Sequence, residues 1–120
     1  YNGSNWTQLG NDIDGEAGGD RSGCSVSLSS DGATVAIGAC LNNGNGSASG
    51  HVRIYSYNGL YWIQLGQDID GEAAGDYSGR SVSLSSDGTS VAIGAPNNDG
   101  NGNDSGQVRI YSWDGSSWTG

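Results

Sequence analysis

Apolar and polar residues alternate strictly over Ser25-Val26-Ser27-Leu28-Ser29, and again over Ser81-Val82-Ser83-Leu84-Ser85. A period of two puts Val and Leu on one face of a strand and Ser on the other. Asp-Gly follows each run, at Asp31-Gly32 and Asp87-Gly88. It is a strong hairpin signal because glycine accepts positive φ. Thr34–Ala39 reads as the returning strand. A polar loop over Asn42–Ser49 separates it from a third strand, Gly50–Tyr55, which carries Val52 and Ile54 on one face. Asn58-Gly59 then turns the chain into Tyr61–Leu65. No segment shows the 3.6-residue apolar period of a helix. The pattern predicts an all-β chain of four-stranded antiparallel meanders.

The pattern is written twice. Tyr1–Ser56 aligns with Tyr57–Ser112 without a gap, 41 of the 56 paired positions are identical, and Trp113–Gly120 begins a third copy. The organisation is therefore 1–56, 57–112 and 113–120. Six of the twelve positions from 40 to 51 differ from their partners, whereas between Ser25 and Ala39 only positions 33 and 34 change. Loops tolerate change that packed strands do not. Tandem four-stranded meanders with a period near 50 point to β-propeller blades. A linear fibre of stacked β-sheets and a β-solenoid are the alternative architectures. A repeat unit does not bury its apolar face alone, so further copies of the same repeat are the expected partners, by self-association or in a longer chain. The chain begins without Met inside the pattern and stops within a blade's last strand. Those features suggest a slice of a longer polypeptide, or a two-blade piece whose cut edges seek a partner strand.

Composition narrows the function. The chain has 23 glycines, four arginines, no lysine and 33% hydrophobic residues, which suits a thin, sheet-like core. A net charge of −9 argues against nucleic acid as a partner, since phosphate backbones need a basic face. No apolar run approaches the ~20 residues that cross a membrane, so membrane insertion is not expected.

The stretch Gly79-Arg80-Ser81-Val82-Ser83-Leu84 through Val91-Ala92-Ile93-Gly94-Ala95-Pro96 resembles the FG-GAP repeat. Ser78-Gly79 stands at the Phe-Gly place and Gly94-Ala95-Pro96 is intact; the first copy has Ser22-Gly23 and Gly38-Ala39-Cys40 there. The Trp-x-Gln-Leu and Gly-x-Val-Arg-Ile-Tyr segments fit the same resemblance, which covers essentially the whole chain. It implies integrin-α-type propeller blades, an extracellular or cell-surface location, and a role in adhesion or scaffolding. Many such blades carry an Asp-x-Asp-x-Asp-Gly calcium loop between their first two strands. Here that place holds only Ser29-Ser30-Asp31-Gly32 and Ser85-Ser86-Asp87-Gly88. One carboxylate cannot supply the six to eight oxygens that calcium takes, so the family's calcium site is not carried over.

Another acidic stretch repeats. Asp12, Asp14, Glu16 and Asp20 return as Asp68, Asp70, Glu72 and Asp76. Its oxygen density raises calcium as a possible cofactor, although the spacing is not that of an EF-hand. The competing reading is an inter-blade connection whose carboxylates accept bonds from backbone N–H groups and Arg, with Ile13 and Ile69 plugged into the core. Cys24 and Cys40 both lie in the first unit and flank its central hairpin, within one register step of facing each other; the second unit has Arg80 and Pro96 there. A Cys24–Cys40 disulfide is expected, implying an oxidising compartment; the alternative is two buried thiols. Asn2, Asn5, Asn45 and Asn103 head Asn-x-Ser/Thr sequons, with Asn45 and Asn103 in a predicted exposed loop. Glycans are therefore possible.

Catalysis has little support. His51, the single histidine, has Gln107 as its counterpart in the second copy and reads as a surface strand residue rather than a base. No Gly-x-Ser-x-Gly elbow occurs. Trp6, Trp62, Trp113 and Trp118 could stack on sugars, but their fixed place in the repeat favours blade packing. The expected function is a non-catalytic, extracellular structural or adhesive module. A carbohydrate- or calcium-dependent binding module is the alternative.

Overall fold

A computed structural model describes residues 3–15, 18–41, 49–71, 75–96 and 106–120. They are all-β. The first blade is an antiparallel meander of β1 (Ser22–Leu28), β2 (Thr34–Ala39), β3 (His51–Tyr57) and β4 (Trp62–Gln64). A two-residue strand, β5 (Ile69–Asp70), pairs with the other end of β3. The second blade repeats the meander as β6 (Ser81–Leu84), β7 (Ser90–Ala95), β8 (Gln107–Trp113) and β9 (Trp118–Thr119). Each blade takes its last strand from the opening residues of the following 56-residue unit.

The Asp-Gly turns form as their chemistry requires. Gly32 has φ 72°, and the Asp31 carboxylate accepts bonds from Ser29 Oγ at 2.7 Å and the Ala33 N–H at 2.9 Å. Asp87 does the same with Ser85 Oγ and the Thr89 N–H.

The alternation along the strands sorts residues onto two faces. Register places Ser25, Ser27, Ala36, Gly38, Val52 and Ile54 on one face of the first blade, the serine face. Val26, Leu28, Val35 and Ile37 occupy the other, the leucine face. The second blade has the same two faces. The core lies between the blades. Ala36, Val52 and Ile54 from the serine face of the first pack with Leu84, Val91, Ile93 and Trp118 from the leucine face of the second. Ile69 joins them from β5, plugged in as expected.

Hydrogen bonds tie the blades along their inner edge. Ser25 Oγ donates to Gly79 O at 2.6 Å, the Leu84 N–H to Ser27 Oγ at 3.0 Å, and the Ser30 N–H to Ser86 O at 2.9 Å. The serine row is therefore a polar fastener inside an otherwise apolar contact.

Candidate functional site

The contact between the blades is heterologous: a serine face meets a leucine face. Each blade therefore leaves part of one face of the opposite kind exposed, although Val35 and Ile37 on the leucine face of the first blade are themselves buried. Leu28 of the first blade is 60% exposed, whereas its counterpart Leu84, pressed between the blades, is 8% exposed. Ile110 of the second blade is 67% exposed, whereas its counterpart Ile54 is 0% exposed. Val26 and Val108 are exposed as well, where their counterparts Val82 and Val52 are partly and fully buried.

A cleft of about 580 Å³ opens on the serine face of the second blade, lined by Arg80, Ser81, Gly94, Pro96, Gly106 and Val108 among others. One repeat earlier, these positions are Cys24, Ser25, Gly38, Cys40, Gly50 and Val52. There they receive the Ser78-Gly79 segment of the second blade. Gly79 O accepts from both Ser25 Oγ and Cys24 Sγ, and Gly50 bridges Ser78. The cleft thus presents the docking socket seen between the blades.

The outer hairpins carry a second latch. Trp118 Nε1 donates to Leu65 O at 2.9 Å, and the Trp118 N–H to Gln67 Oε1 at 3.0 Å. Trp62 repeats both contacts with Leu9 O and Asn11 Oδ1. Trp118 is buried, and Trp113 packs against it with ring centroids 5.3 Å apart. Trp6 departs from the expected blade packing: it is 85% exposed. The equivalent Trp118 is buried instead in the core between the blades, with Val52, Ile54 and Ile69.

The acidic stretches divide. Asp68 accepts from Arg53 Nε at 2.8 Å, Arg53 NH2 at 3.1 Å and Gln64 Nε2 at 2.7 Å, as the inter-blade reading expected. The Arg53 guanidinium and the Gln64 amide hold its carboxyl below the usual range. Asp12 is exposed and accepts from Gln8; Asp14 is exposed, and Asp20 and Asp76 are buried. Glu16 and Glu72 lie outside the described residues, as do Asn2, Asn45 and Asn103. Asn5 is exposed. Among the described residues, one cluster of potential metal ligands forms: His51, Asp68 and Asp70. His51 is buried. That corrects its reading as a surface residue: its strand is paired on both sides there, with Ala39 of β2 and Asp70 of β5.

The FG-GAP repeat model matches residues 12–55 and 69–111. The chain belongs to the FG-GAP repeat family. No curated protein matches it at a significant level. FG-GAP modules are generally non-catalytic parts of extracellular or cell-surface proteins. No helix among the described residues is long and apolar enough to cross a membrane.

In this FG-GAP chain the hairpin carboxylates at Asp31 and Asp87 are consumed inside their own turns. Their backbone and hydroxyl donors lower both pKa values, as the Ser116 and Ser117 N–H groups do for Asp114. A carboxyl whose folded pKa is depressed adds stability above its unfolded pKa of about 3.9, and that stability is lost as pH falls through the folded value. The thermal midpoint should therefore be level from about pH 7 to 5 and fall below about pH 4. Differential scanning calorimetry across that range checks this; a midpoint that rises on acidification contradicts it.

Cys24 and Cys40 are thiols here, Cys24 exposed and Cys40 buried. Cys24 sits in the β-bulge between Ser22 and Ser25, and Cys40 follows the end of β2. Partial desolvation, together with a hydrogen bond to Cys40, pushes the Cys24 thiol up to about 11. A thiol held protonated is a poor nucleophile.

Proposed function

We propose that this chain is a non-catalytic extracellular structural module whose blades associate face to face with further copies of the same repeat. One observation carries the reading. The residues left uncovered on the two outer faces, Val26 and Leu28 on one and Val108 and Ile110 on the other, are repeat equivalents of residues at the contact between the blades: Leu84, Val52 and Ile54 are buried there and Val82 is partly buried. The socket that holds Gly79 on the first blade recurs on the second. Full burial of a side chain of this size is favourable by about 1.5–3 kcal/mol. A heterologous contact of this kind closes into a ring if the rotation per blade permits, and otherwise extends as a filament. Scaffolding or adhesion follows from such an assembly, since the mechanism is repetition itself.

Sedimentation of the 120-residue chain over a wide concentration range tests this. Species of two or more chains are expected, seen as rings or filaments by negative-stain microscopy. A clean monomer at the highest concentration overturns the reading.

The extracellular setting also bears on the cysteines. The two thiols are neighbours within hydrogen-bonding reach, and oxidation would join them into a Cys24–Cys40 disulfide closing the central hairpin. Closing a loop of that length stabilises by about 3 kcal/mol. For protein made in an oxidising compartment, alkylation without reductant should leave the mass unchanged. Two added alkyl groups refute the bridge.

A further inference from the structure

We propose that His51, Asp68 and Asp70 form a binding site for a zinc-class divalent cation. The site is built by strand pairing. β5 runs antiparallel to the start of β3, which sets Asp70 directly across from His51. Asp68 stands two residues earlier, where the chain leaves the outer hairpin. One donor atom from each of the three side chains lies within 4.8 Å of the other two. His51 itself is 4% exposed, and its Nδ1 has no hydrogen-bond partner among the described residues. A buried ring nitrogen without a partner is unfavourable, and the same side chain contributes a donor atom to a cluster with two carboxylates; together these point to a ligand rather than to packing.

The donor set selects the metal. One imidazole nitrogen and two carboxylate oxygens, with water in a fourth position, is a zinc-type set. Calcium needs six to eight oxygens, which this trio does not supply. Around zinc, with bonds of ~2.0–2.2 Å, tetrahedral donors sit roughly 3.4 Å apart, so small side-chain rotations complete the site. Arg53 is the opposing charge. It takes one lone pair on each Asp68 oxygen, and Gln64 takes the second on Oδ1, leaving Oδ2 with one free. A ligating carboxylate oriented by a hydrogen bond is the usual arrangement around bound metals. With Arg53 included, the trio still carries one net negative charge when His51 is neutral. The second unit has Gln107 in place of His51, so the site belongs to the first blade. Its position clips β5, the start of the inter-blade connection, onto β3.

Zinc titrated into the metal-free 120-residue chain by calorimetry tests the proposal. One equivalent should bind, and calcium should bind at least tenfold more weakly. His51→Gln places the residue that the repeat itself carries at 107, so the strand tolerates it; this variant should lose at least tenfold in zinc affinity, and Asp70→Asn likewise. Asp14→Asn, at the repeat equivalent of Asp70, should bind as the parent does. Cobalt(II) added to the parent should give the intense visible absorption of a tetrahedral site, absent in His51→Gln. Equal zinc binding by the parent and His51→Gln, or no binding by either, overturns the proposal. Both outcomes are independent of whether chains associate.

Discussion

Gly38→Ala should break the contact between the blades while its repeat counterpart Gly94→Ala leaves the fold nearly untouched. The two substitutions are chemically identical and sit at the same position of equivalent strands, β2 and β7. A Cβ on Gly38 would overlap the Gly79 carbonyl, which is backbone and has no rotamer to yield. It would also strike Ser25 Oγ, which holds that carbonyl at 2.6 Å. The blades must separate locally, exposing Val52 and Ile54. Overpacking a closed contact costs about 1–3 kcal/mol, and loss of the Ser25 and Ser27 fasteners adds to it. A fall of about 3 kcal/mol, or roughly 10 °C in Tm, is expected. At Gly94 the close approach is to the Ser81 hydroxyl, which can rotate away, and the Ser81 carbonyl lies at ordinary van der Waals distance, 3.7 Å. The cost there should stay below about 1 kcal/mol, and chemical denaturation reads both. Equal losses at the two glycines would show that the blade contact does not govern Gly38.

The hairpins were legible because their signals are local. Strict alternation at Ser25–Ser29 and Ser81–Ser85, followed by Asp-Gly, fixes strand, turn and face in a dozen residues. Thr34–Ala39 is a strand over the full expected span. What escaped the sequence depends on neighbours far along the chain. β5 is two residues long and offers no period to read; it forms because the linker returns past the start of β3. The burial of His51 accompanies that pairing, and the Gln at 107 gave no hint of it. The acidic stretch signalled metal by oxygen density alone, yet the cluster that forms combines two of its carboxylates with a histidine from another strand. Alternation also assigned each side chain to a face without saying what covers the face. Trp6 shows the cost: it shares its repeat position with the buried Trp118, but the fate of that ring depends on the adjoining sheet.

Gly94→Ala should also abolish association between chains, for the reason that makes Gly38→Ala damaging within one. In the proposed assembly the serine face of a second blade receives the leucine face of another chain's first blade. Gly94 would then lie against the partner's Gly23 carbonyl, the repeat equivalent of Gly79. A methyl group there closes the socket without touching the fold of the chain that carries it. Leu28→Asp should block the opposite face, because it places a charge where Leu84 is buried in the contact already seen. Each variant alone should sediment as a monomer at concentrations where the parent assembles. Mixed, they should form a one-to-one dimer and nothing larger. The Gly94→Ala chain keeps an intact leucine face and the Leu28→Asp chain an intact serine face, so one productive contact remains and cannot propagate. An isologous interface predicts otherwise: the mixture would offer no pairing that the single variants lack. Recovery of a dimer only on mixing therefore identifies the contact as head-to-tail, and its failure, with the parent still assembling, places the interface elsewhere.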